Sequence, residues 1–187
     1  MAIETEKKYR LDKKLLVEYA AKLRELNAVF AYESFEENYL HRGGLLDDRN
    51  AVLRLRKTNN ETLLTYKEKV NDEEVSEFKH KIEFETSVGD VAATESIIEK
   101  LGYKLSLIYE KHRKAWHLGD VEVVLDELPF GCYMEIEGSI EDILAVEKSL
   151  GADKLEPEQR GYPRLTVKFG KQVNGVMESR FEKTNGV

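Results

Sequence analysis

Phe78-Lys79-His80-Lys81-Ile82-Glu83-Phe84-Glu85 sets charges at every second position, with mostly apolar residues between them. Successive side chains of a strand point to opposite faces. The octet therefore reads as a strand with Lys79, Lys81, Glu83 and Glu85 on one side and Phe78, Ile82 and Phe84 on the other. The same parity recurs upstream and downstream. Glu4, Glu6, Lys8 and Arg10 share a face, Arg54 and Arg56 lie opposite Leu53 and Leu55, and Lys67 pairs in parity with Lys69. Further on, Lys111 and Arg113 fall on one parity, Glu122 and Asp126 oppose Val121, Val123 and Leu125, and Glu135 and Glu137 alternate with Met134 and Ile136. For any one strand this fits the solvated face of an antiparallel sheet. Across the set, however, the polar faces are almost wholly ionic, with Glu pairs at both ends of the sheet region and Arg and Lys pairs in its middle. In a sheet that curls on itself these charges converge on a lumen, where like charges are costly unless neutralised. Clustered carboxylates then require a divalent cation, and clustered Arg and Lys a polyanion. Together they describe a metal–polyphosphate site.

Other elements fall around these strands. Strands are expected over 2–10, 30–40, 51–58, 62–70, 77–86, 104–117, 120–127 and 132–138, with turns at Asn59-Asn60 and Gly119-Asp120 and a loop over 41–50. Leu15, Leu16, Tyr19, Ala20, Leu23 and Leu26 have helical spacing, which predicts a helix over 13–26. Further helices are expected over 89–101 and 140–150, ended by Gly102 and Gly151. Strand follows strand with short turns, so the fold class is α+β, a mostly antiparallel sheet with helices to one side. Residues 1–170 read as one domain, and 171–187, poor in apolar groups, as a loose tail.

Composition narrows the function. The 187 residues include 29 Lys+Arg and 36 Asp+Glu, a net charge of −7, and charged residues make up 35% against the ~25% usual in globular domains. The acidic balance argues against a nucleic-acid partner. No stretch approaches the ~20 apolar residues that cross a bilayer, so no membrane partner is expected. Met1 to Glu6 lacks a secretory pattern, and Cys132 alone supports neither a disulfide framework nor a thiolate metal site, so a cytoplasmic location is expected. His41, His80, His112 and His117 have no metal-ligand spacing, and Gly43-Gly44 lacks the Lys-Ser/Thr of a phosphate loop. Cys132 reads as inert core.

The order of motifs resembles the CYTH family, named for class IV adenylyl cyclases and thiamine triphosphatases. Glu4-Thr5-Glu6-Lys7-Lys8 is similar to its N-terminal Glu-x-Glu-x-Lys signature. Leu53-Arg54-Leu55-Arg56, Tyr66-Lys67, Lys81-Ile82-Glu83-Phe84-Glu85, Lys111-His112-Arg113, Val124-Leu125-Asp126 and Tyr133-Met134-Glu135-Ile136-Glu137 follow in the family's order, to about Lys168. The resemblance implies a triphosphate tunnel, an antiparallel closed barrel of about eight strands with helices packed outside. It implies that Lys8, Arg54, Arg56, Lys67, Lys81 and Arg113 clamp phosphate oxygens, with Lys168 on a late helix at one tunnel mouth. It implies that Glu4, Glu6, Asp126, Glu135 and Glu137, with Glu83 and Glu85 beside them, hold one or two Mg2+ or Mn2+ ions. Glu4, Glu6 and Lys8 then form the catalytic signature. Metal-dependent hydrolysis of tripolyphosphate or a small organic triphosphate such as thiamine triphosphate comes first among the implied activities. A class IV adenylyl cyclase making cyclic AMP and pyrophosphate is the alternative, and a non-catalytic polyphosphate or nucleotide-binding module the third. The protein is expected to be a monomer or homodimer.

Overall fold

The computed structural model describes residues 3–69 and 78–182. Its strands are β1 (Ile3–Leu11), β2 (Val29–Arg42), β3 (Ala51–Lys57), β4 (Thr62–Lys69), β5 (Lys79–Ser87), β6 (Lys104–Leu118), β7 (Val121–Leu128), β8 (Gly131–Glu137), β9 (Lys171–Val173) and β10 (Val176–Ser179). Helices α1 (Lys13–Glu25), α2 (Leu45–Asp48), α3 (Val91–Lys100), α4 (Ile140–Leu150) and α5 (Tyr162–Phe169) connect them.

Strand order runs β2-β3-β4-β5-β1-β8-β7-β6, and β6 pairs back onto β2, so eight strands close into a ring. Every pairing within the ring is antiparallel. Closure removes the sheet's edges and gives each strand an inner and an outer face. Alternation then decides what lies where. On β1, Lys7, Tyr9 and Leu11 face out; Tyr9 and Leu11 join Trp116, Val121, Val123, Leu125, Cys132, Met134 and Ile136 in a core closed by Tyr19 and Leu23 of α1 and Ile143, Val146 and Leu150 of α4. Lys7 on that same face meets a countercharge, donating from Nζ to Glu147 of α4 at 2.7 Å, while the Tyr9 hydroxyl donates to the same oxygen at 2.6 Å.

Local chemistry fixes the helices that cover the ring. Asp12 caps α1 by accepting from the Leu15 N–H at 2.7 Å, Asp90 accepts from the Ala93 N–H at 2.9 Å to cap α3, and Ser139 accepts from the Asp142 N–H at 3.2 Å at the start of α4. Gly151, at φ 67°, takes the left-handed conformation that ends α4.

Two segments depart from the expectation. The loop over 41–50 contains α2. The tail expected to be loose is ordered over its described part, while 183–187 lie outside the described residues. β6 is long: its residues 112–118 pair with β7, and the stretch 107–109 would present an unpaired edge, which β10 fills in parallel. Arg180 then ties the tail down, donating to Glu178 at 2.8 Å, Glu110 at 2.9 Å and Glu37 at 3.1 Å. Backbone pairing and ion pairs order this segment, and neither leaves a hydropathy signal.

Candidate functional site

The inner faces of the eight strands carry the charges singled out by parity. Cross-strand register sets them beside one another: Glu4 opposite Lys81, Glu6 opposite Lys79 and Glu137, Lys8 opposite Glu135, Lys67 opposite Glu83, and Arg113 opposite Asp126. Some ion pairs join residues directly opposite, and others reach diagonally or across an intervening strand. Lys8 reaches Glu135 at 2.9 Å, Lys81 reaches Glu6 at 2.8 Å, and Lys67 contacts Glu4 at 3.2 Å as well as Glu83. Arg56 holds Glu85 at 2.7 Å, and Arg54 lies 3.6 Å from Glu83 and from Glu85. Arg113 binds Asp126 through Nε at 2.8 Å and through a terminal nitrogen at 2.5 Å, and also reaches Glu135 at 2.7 Å.

Tethering each cation to a carboxylate keeps a buried cluster of like charges tolerable. It also polarises the pKa values. Burial alone raises the Glu4 carboxyl, but the Lys67 and Lys81 ammoniums outweigh it and hold Glu4 at about 2. Glu135 is likewise buried, yet Lys8, Arg113 and Lys111 bring it well below the carboxylate range. Glu137 goes the other way: burial, with the Glu4, Glu122 and Glu6 carboxylates nearby, pushes it up to about 8. The sheet thus has a region of balanced ion pairs and, where β1, β7 and β8 meet, carboxylates in excess.

These residues bear unequally on a metal. Asp126 is 0% exposed and fully engaged, accepting from Arg113, from Lys111 at 3.3 Å and from the Tyr162 hydroxyl at 2.7 Å. Glu83 and Glu85 serve Arg54, Arg56 and Lys67. Among the described residues no group of three or more carboxylate, histidine or cysteine side chains is set in metal-holding geometry. The donor set around Glu137 nevertheless fits a hard divalent cation: oxygen ligands only, with Glu137 pushed up to about 8 by burial and by the neighbouring carboxylates. Glu4, Glu6, Glu122 and Glu137 are the residues that would hold it, Glu4 and Glu6 by turning from Lys67 and Lys81.

Lys168 stands apart from these ion pairs. Helix α5 does sit against the ring, but its buried residues are Tyr162, Leu165 and Thr166, while Lys168 is exposed on its outer side, 5.0 Å from the Phe169 ring centroid. Tyr162 enters instead: the Lys8 Nζ lies 3.6 Å from its ring centroid and the Lys111 Nζ 5.4 Å. With Leu40, Leu107, Tyr109, Leu128, Tyr133 and Leu165 it forms an apolar cluster at this end of the lumen.

The family's motifs assign no role to several further lumen residues. Lys111 pairs with Glu36 at 3.4 Å, and Glu36, although buried, is held at about 2 by Lys111, Arg113, Arg56 and Arg54. Lys79 lies 3.3 Å from Glu6, and burial together with the neighbouring Lys8 charge lowers it to about 8. Lys79, Lys111 and Glu122 carried the right parity. Glu36 and Asn38 carried no such signal, because β2 is polar on both faces around them.

A closed antiparallel ring that turns its ion pairs inward defines the class of fold. The chain belongs to the CYTH domain family, whose family model matches residues 2–162. No curated protein matches the sequence. Among solved structures, a conserved hypothetical protein of Pyrococcus furiosus superposes with a TM-score of 0.72 at 24% identity, over 87% of this chain and 99% of its own. A Vibrio parahaemolyticus protein described as a candidate adenylate cyclase gives 0.71 at 18% identity, over 88% of this chain and 98% of its own. A Hippeastrum protein described as a candidate adenylyl cyclase that reveals a dominant triphosphatase activity gives 0.67 at 14% identity, over 93% and 98%. These likenesses concern the fold.

Proposed function

We propose that this protein is a metal-dependent triphosphatase acting on tripolyphosphate or a small organic triphosphate. One observation carries the reading: Lys8, Arg54, Arg56, Lys67, Lys81, Lys111 and Arg113 all face a single closed lumen, each tethered to a carboxylate there. Such an array exchanges ion pairs. A polyphosphate concentrates its negative charge on closely spaced oxygens, and Arg forks match those oxygens two at a time. Displacement frees Glu4 from Lys67 and Glu6 from Lys81, so these carboxylates join Glu137 and Glu122 as oxygen donors. A divalent cation bound there supplies charge neutralisation and a more acidic water. The chain's cations hold the phosphoryl groups in line and stabilise the charge that gathers on the leaving oxygen. Lys8, held between Glu135 and the Tyr162 ring, keeps one such charge in a fixed place.

Hydrolysis needs only this clamp and a water, whereas cyclisation also requires a base pocket and exclusion of water. No helix among the described residues is long and apolar enough to cross a membrane. Buried, unpaired Cys132 is compatible with a reducing compartment, and we infer a cytoplasmic location. The test is a panel of tripolyphosphate, thiamine triphosphate, ATP and GTP with Mg2+ or Mn2+, scored separately for orthophosphate and for cyclic nucleotide plus pyrophosphate. Orthophosphate release is expected; cyclic nucleotide as the main product from ATP would replace hydrolysis with cyclisation.

A further inference from the structure

Asn38 lies on β2 with Arg56 opposite it on β3 and Tyr109 opposite it on β6. It is 0% exposed, and among the described residues neither its Nδ2 nor its Oδ1 has a hydrogen-bond partner. A buried amide left in this state costs stability that an apolar side chain of similar size would not, so its presence requires a reason. The next inward-facing residue of β2, Leu40, pairs with Arg54, which makes Arg54 a diagonal neighbour of Asn38 on the same face, within reach of a long side chain. Arg54 shows the same deficit. One terminal nitrogen donates to Thr65 at 3.3 Å and lies near Glu83 and Glu85, whereas its buried Nε has no partner. These two side chains therefore present two kinds of unused donor, the Asn38 amide N–H and the Arg54 Nε–H, and an unused acceptor, Asn38 Oδ1. An ionised phosphoryl oxygen satisfies donors only. The acceptor needs a hydrogen from elsewhere, which a water supplies.

We propose that Asn38 is a substrate-binding residue. Its amide N–H and Arg54 Nε–H bind non-bridging oxygens of a phosphoryl group, and its Oδ1 orders a water beside that group. The inference rests on the polyphosphate reading above and adds to it a neutral contact that measures hydrogen-bond geometry rather than charge.

The experiment compares the protein with its Asn38→Leu and Asn38→Asp variants by calorimetric titration with inorganic tripolyphosphate, alongside thermal unfolding of each. Asn38→Leu should bind tripolyphosphate about tenfold more weakly or worse, the loss of ~1.4 kcal/mol, while its Tm stays level or rises because an unpaired amide has gone. Asn38→Asp, nearly identical in shape, should bind more weakly still, since a carboxylate repels phosphate and competes for Arg54. Wild-type affinity in Asn38→Leu would overturn the role of Asn38 while leaving the polyphosphate reading standing. Should that variant fold poorly, wild-type affinity in Asn38→Asp would overturn it equally. Absence of binding by the wild-type protein would overturn both.

Discussion

Replacing Glu137 with Gln should make the metal-free protein more stable and less active. Glu137 ionises at about 8 instead of 4.5, because burial and then the Glu4, Glu122 and Glu6 carboxylates oppose its charge. A group whose pKa is raised on folding contributes stability below its unfolded value, and that contribution is lost as pH rises through the folded one. The wild-type protein without divalent cation should therefore weaken between about pH 4.5 and pH 8. For a fully buried group the loss would be about 5 kcal/mol, at ~1.4 kcal/mol for each tenfold change in acidity. Glu137 is partly solvated, so screening reduces this to on the order of 2 kcal/mol. Gln keeps the shape and removes the titration. At pH 8 Glu137→Gln should unfold about 4–8 °C higher than wild type in chelator, at ~2–4 °C per kcal/mol for a chain of this size. Added Mg2+ should raise the wild-type Tm and leave the variant nearly unmoved, since only a ligand of the folded state stabilises it. Tripolyphosphate turnover should fall sharply. Scanning fluorimetry across pH, with and without metal, measures the first two effects. A variant no more stable than wild type at pH 8 in chelator would refute the reasoning, because the carboxylate excess would then carry no strain.

Two further predictions separate binding from folding. Arg54→Ala removes a guanidinium whose carboxylate contacts are long, at 3.6 Å, and leaves Glu83 to Lys67 and Glu85 to Arg56. Titration with tripolyphosphate should show a loss of about tenfold or more, with a Tm shift too small to account for it; intact affinity with a collapsed Tm would contradict the clamp. His41 is buried on the outer side of β2, and burial lowers its pKa despite Glu95 and Glu99 nearby, with Lys57 acting in the same direction as burial. The unfolded chain therefore takes up the proton first, and stability should fall as pH drops below about 6.5 toward the folded value. Urea unfolding at pH 7.5 and pH 5.5 should show a smaller acid loss in His41→Gln than in wild type.

Much of the lumen was legible because the strand period leaves no ambiguity. Once β1 is a strand, Glu4, Glu6 and Lys8 must share a face, and the Leu and Val of neighbouring strands show which face meets the helices. β2 broke the pattern because its outer face is polar too. Glu37 faces out there and is satisfied by Arg180, a residue 143 positions away, so no local rule could tell it from Glu36. Lys168 is a different case. The resemblance places it on a late helix, and α5 is a helix, but its buried residues Tyr162, Leu165 and Thr166 follow the i, i+3, i+4 rule, and Lys168 lies off that stripe. Asp126 and Glu135 had the right face, yet only cross-strand register shows that Arg113 occupies both. Parity says which groups enter the lumen; it does not say which of them pair with each other.

A lumen that exchanges its internal ion pairs for a triphosphate would show it in a crystal structure of the protein with tripolyphosphate and Mn2+. Phosphoryl groups are expected among Arg54, Arg56, Lys67, Lys81 and Arg113, with an anomalous Mn2+ peak beside Glu4 and Glu137 and with Lys67 parted from Glu4. Phosphate bound only on the outer surface, with the lumen ion pairs intact at saturating ligand, would contradict it.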